Sequence, residues 1–111
     1  MRILILLLSL STLFAFKKQE QNNFRMIVDD AFALSGGKTV VTGQILQGEI
    51  SVGDQITFSY KEVVYELKVE ELEIFGAVAG TKTACASQNV GIHVSGVPKY
   101  YFQHGLELRK K

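Results

Sequence analysis

The chain has 111 residues, enough for one domain, and 47% of them are hydrophobic against 21% charged, so it can build a core. Its 12 basic and 11 acidic side chains leave a formal charge of +1, without the basic excess of a non-specific nucleic-acid binder. The single cysteine, Cys85, excludes an internal disulfide and any multi-cysteine metal cluster.

Residues 1–16 stand apart. Arg2 precedes an apolar run from Ile3 to Phe16, which is shorter than the ~20 residues of a membrane span. A charged start, a short apolar stretch and the small residue Ala15 match a secretory signal. Leu13 and Lys17-Lys18 fit that pattern less well, and an uncleaved anchor or a buried terminal element are the alternatives. Export, or anchoring through residues 1–16, is therefore the expectation, with a cytoplasmic location as the alternative. Removing residues 1–16 takes away one basic residue and no acid, which leaves the remainder neutral. Residues 17–23 (Lys-Lys-Gln-Glu-Gln-Asn-Asn) are wholly polar and read as a linker to a domain over 24–111.

That domain reads as strands and turns. Phe24 to Val28 alternates loosely, Asp29-Asp30 interrupts, and Ala31 to Leu34 leads into a turn at Ser35-Gly36-Gly37-Lys38. Thr39 to Thr42 is a β-branched run. Gly43 within it implies a bulge or a close backbone approach. Gln44 to Leu46 resumes the strand, Gln47-Gly48-Glu49 turns it, and Ile50 and Val52 lead to the Gly53-Asp54 turn. Ile56 and Phe58 then alternate with polar neighbours. From Val63, the residues Tyr65, Leu67 and Val69 share one face, and the phase slips at Glu70-Glu71, which predicts a bulge. A short strand fits Lys82–Ala86, an alternating strand runs through Val90, Ile92 and Val94, and Leu106 and Leu108 close the chain. No helical stripe appears after the N-terminal segment. Many short strands at regular turn spacing indicate a sandwich or a closed barrel. The expected core is Met26, Val28, Phe32, Val41, Ile45, Val52, Ile56, Leu67, Val69, Val90, Ile92 and Leu108.

The string Phe24-x-Met26-x-Val28-x-Asp30-x-Phe32, with Ser35-Gly36 and then Thr39-Val40-Val41-Thr42-Gly43, has further matches downstream. These are Gly48-x-Ile50-x-Val52-Gly53-Asp54-x-Ile56, Glu73-x-Phe75, Asn89-Val90-Gly91-Ile92, Gly96-Val97 and Gly105-x-x-Leu108. In order and approximate spacing the series resembles the second domain of elongation factor Tu and related translation GTPases, over about residues 24–108. The resemblance implies a closed, six-stranded, Greek-key β-barrel. In that family the domain follows a GTPase domain and helps hold the acceptor end of aminoacyl-tRNA. The chain departs from the family at charged positions: Gln44 and Ser95 stand where the family usually has Arg, and Gly76 where a basic residue is common. Turn glycines and core positions are kept while those charges are lost.

Catalytic chemistry finds little support. Gly37-Lys38-Thr39 mimics the end of a phosphate loop, but Phe32 stands where that loop needs a glycine. His93 and His104 lack metal-ligand spacing and read as surface or hydrogen-bonded residues. Cys85, between Ala84 and Ala86, reads as a small buried or half-buried thiol. Glu66, Glu70, Glu71 and Glu73 read as a solvated strand face. Neither a catalytic residue nor a cofactor or metal is expected. The unusual segment is Lys99-Tyr100-Tyr101-Phe102, three consecutive aromatics of which an extended chain can bury only part. Tyr100, Tyr101 and Phe102 are the candidate interaction surface, and Ser35, Gly36, Gly37 and Lys38 the second candidate. The sequence points to a non-enzymatic, exported binding or structural module with a protein partner and no nucleic acid. A translation-related RNA- or factor-binding module retained in the cell is the alternative.

Overall fold

The computed structural model describes residues 23–111. The signal-like segment 1–16 and the linker up to residue 22 lie outside the described residues. Nine strands follow in order: β1 (Arg25–Ala33), β2 (Lys38–Gln47), β3 (Glu49–Ser51), β4 (Gln55–Tyr60), β5 (Val63–Lys68), β6 (Glu71–Ile74), β7 (Thr83–Cys85), β8 (Asn89–Ser95) and β9 (Glu107–Lys110). A 3₁₀ turn, Lys99–Tyr101, follows β8. Seven strands form one curled sheet in the order β5-β4-β9-β1-β2-β8-β6, and β3 pairs with β7. Every pairing is antiparallel.

The strands at the two ends of that order, β5 and β6, are successive segments of one stretch of chain. Between them Val69 and Glu70 leave the strand path. Val69 exchanges backbone hydrogen bonds with the β3–β4 turn, donating to Asp54 and accepting from Gly53. The Glu70 amide donates to His93 of β8 at 2.9 Å. The expected bulge at Glu70-Glu71 therefore appears as a break that hands the chain from β4 to β8. The small strand pair β3–β7 is tied on through Val52, whose amide donates to Lys82.

Gly43 sits where β2 passes Ile27, and a Cβ there would lie 2.2 Å from the Ile27 carbonyl oxygen. Only a glycine lets the two strands approach this closely. At Gly48 a positive φ of 73° combines with the Phe24 backbone 2.7 Å from the position of a Cβ. These two contacts press β1 and β2 together.

The core contains Phe24, Met26, Val28, Val41, Ile45, Ile50, Ile56, Phe58, Val69, Val90, Ile92, Val94, Phe102 and Leu108, all buried. Nine of the expected core residues are among the buried ones, and Leu67 packs against them half-buried. Two expectations fail. Phe32 is 50% exposed. The β1–β2 register slips between Val28 and Asp30, so Val28 faces Gly43 while Ala31 faces Val41. One extra residue flips the phase: Ala31 turns inward and Phe32 outward. Val52 is 38% exposed because β3 ends at Ser51 and Val52 already lies in the turn. Cys85 is exposed, not buried, because on β7 the alternation gives the inward position to Ala84.

Candidate functional site

The three consecutive aromatics occupy three environments. The 3₁₀ turn sends them in different directions rather than to two alternating faces. Phe102 is 3% exposed and packs on Phe58 with ring centroids 4.8 Å apart, so it belongs to the core and is no contact surface. Tyr101 is half-buried and stacks on Tyr60 at 4.2 Å, with its edge toward Tyr65 at 5.2 Å. Hydrogen bonding to Tyr65, with some burial, raises the Tyr101 phenol above its usual range. Tyr100 is 59% exposed and meets Tyr60 and Tyr101 edge-on. Lys61 lies over the Tyr60 ring at 5.5 Å. Tyr100 is thus the one residue of the trio available to a partner, and a tyrosine platform holds it in place.

The Ser35–Lys38 turn ends beside it. Leu34, Gly37 and Lys38 on one side and Gly96, Pro98, Lys99 and Tyr100 on the other line an open, mostly apolar groove of about 460 Å³. Gly37 and Lys38 of one candidate surface and Tyr100 of the other, far apart in sequence, thus line one groove.

A second, wider groove of about 600 Å³ runs beside Gly43. Asp29, Thr42, Gln44, Asn89 and His104 supply its polar groups, and Leu46 and Phe75 its exposed apolar rim. Among the described residues no Lys or Arg lines it. Gln44 donates from its side-chain amide to the Ser87 carbonyl at 3.2 Å. His104 Nδ1 lies 3.0 Å from the Asp29 carbonyl oxygen.

The other side chains singled out have local partners. Each ring nitrogen of buried His93 faces its own carboxylate, Nε2 to Glu73 at 3.2 Å and Nδ1 to Glu71 at 3.6 Å. No metal-holding group of three ligands occurs among the described residues. Ser95 donates to Glu70, which also lies 3.8 Å from Lys38. Cys85 hydrogen-bonds to the Gln88 side chain through both its amide and its thiol.

Among solved structures, the bacterial selenocysteine-specific elongation factor EF-Sec matches 82% of the chain with a TM-score of 0.68 at 23% identity. Elongation factor SelB of Methanococcus maripaludis, in its apo form, matches 93% of it at 28% identity, also with a TM-score of 0.68. The same factor in complex with the GTP analogue GppNHp matches equally well. The chain resembles a β domain of translation elongation factors. It spans 15% of the first structure and 24% of the second, so the likeness covers a domain and not the whole factor. The match falls on a β domain of these proteins rather than on a GTP-hydrolysing domain. No protein-family model matches the chain.

Proposed function

We propose that this elongation-factor-like domain is an exported binding module that takes a protein partner and has lost the capacity to hold RNA. Counting β5 and β6 as one bent strand gives a closed six-stranded, Greek-key barrel as its scaffold, with residues 1–16 as the export signal. The observation that carries the reading is the charge of the wide groove. An RNA end brings phosphates, and phosphates need cations. Among the described residues the groove offers Asp29 and no Lys or Arg, with Gln44 at the position where the resemblance expects Arg.

The test has two parts. Mass spectrometry of the native protein should find a chain that starts after residue 16, outside the cytosol. An intact Met1 in the cytosolic fraction refutes export. Purification from its own cells should recover a protein and no tRNA. A second reading, a translation module retained in the cell, is favoured by the similarity to SelB-type factors. Recovery of tRNA or ribosomes, weakening as salt rises, would select it.

A further inference from the structure

The narrow groove between the Ser35–Lys38 turn and Tyr100 has a chemistry the wide groove lacks. Its walls are apolar, with Leu34 44% exposed and Tyr100 59% exposed at its mouth. Lys38 and Lys99 line it, and Lys61 stands at the far side of the tyrosine platform. Neither Lys61 nor Lys99 is held in an ion pair among the described residues. Lys38 has only a long, half-exposed contact with Glu70. Among the described residues the groove's lining therefore carries two lysines and no carboxylate, with Glu70 beside Lys38 and Asp30 in the neighbouring hollow that Lys99 and Tyr100 also line.

We propose that this groove docks an extended protein segment in which an apolar anchor is flanked by carboxylates. The anchor enters between Leu34 and Tyr100, and the carboxylates meet Lys38 and Lys99. Three features fit this occupant. Tyr100 is supported edge-on by two rings, so little side-chain entropy is lost on contact. A tyrosine at the centre of an interface is a common energetic anchor. Cations at the rim select an acidic partner and speed its encounter. A basic segment would meet like charge. The proposal rests on the reading of the domain as a protein-binding module and names the partner's chemistry at one of its surfaces.

The test titrates the purified protein with two fluorescein-labelled twelve-residue peptides and follows anisotropy. One peptide alternates Asp or Glu with Leu and Phe; the other carries Lys and Arg in place of the acids. The acidic peptide should bind, and more weakly as salt rises. Tyr100→Ala, and separately the double change Lys38→Glu with Lys99→Glu, should each weaken it by about tenfold or more while the melting temperature holds. Amide shifts should move at Leu34, Gly37, Gly96 and Tyr100. Equal or tighter binding of the basic peptide overturns the proposal, as do unchanged affinity in the variants and no binding of either peptide. Shifts confined to Gln44 and Asn89 move the docking site to the wide groove and overturn this proposal alone. Binding of tRNA with no binding of either peptide overturns the protein-binding reading as well.

Discussion

Neighbouring residues with similar chemistry divide the work at the aromatic segment. Phe102 fills the core against Phe58, so Phe102→Ala should cost about 3–5 kcal/mol in chemical denaturation. Tyr100→Ala leaves no cavity and should stay within about 0.5 kcal/mol of the parent. Similar losses for both would make Tyr100 a core residue and close the narrow groove as a site. The sequence showed that part of the trio must be exposed. It did not show which part, because the 3₁₀ turn replaces the alternation on which that argument depends. A second prediction concerns Glu107, which lies between Arg25 and Arg109. The hydrogen bond from Arg25, with that from Arg109, holds its carboxyl below the ordinary range. A depressed acid stabilises the fold above its unfolded pKa, and that stability is lost as pH falls through the folded value. Urea midpoints taken from neutral toward acid pH should therefore fall less steeply for Glu107→Gln than for the parent. Identical slopes would show that the arginine pair leaves this carboxyl unperturbed.

At the scale of elements, the strands were legible and their phase was not always so. β-Branched runs and turn glycines marked most of the ladder. The slip at Asp29-Asp30 was visible as an interruption, yet its consequence, an outward Phe32, requires the register with β2. The β4–β5 hairpin carried no turn signal at all. Its two loop residues, Lys61 and Glu62, both take positive φ (49° and 67°), which such a tight hairpin normally reserves for Asn and Gly. Glu62→Gly should relieve that strain and raise stability by up to about 1 kcal/mol. A loss of stability instead would mean the hairpin is not strained. Gly43 gives the opposite case. Its φ is unremarkable, but Gly43→Ala must push β2 away from the Ile27 carbonyl and should cost about 3 kcal/mol. A neutral result would contradict the close β1–β2 approach.

For the whole molecule, composition and near-neutral charge argued against a non-specific nucleic-acid binder, and the resemblance supplied an expected topology that strand counting alone could not. What remained hidden was the meeting of the 35–38 turn with residues 96–100, since only folding brings two distant loops to one groove. The proposed closure of the barrel depends on the β5–β6 break, where the Glu70 amide bonds across to β8. Hydrogen exchange should find that amide as protected as those in the middle of β8, and rapid exchange there would show an open seam. Loss of RNA binding is the central claim, because among the described residues no Lys or Arg lines the wide groove. The direct measurement is a titration of the purified protein with fluorescent aminoacyl-tRNA at physiological salt. The account predicts binding no stronger than that of a neutral control protein. Micromolar binding that weakens as salt rises would contradict it.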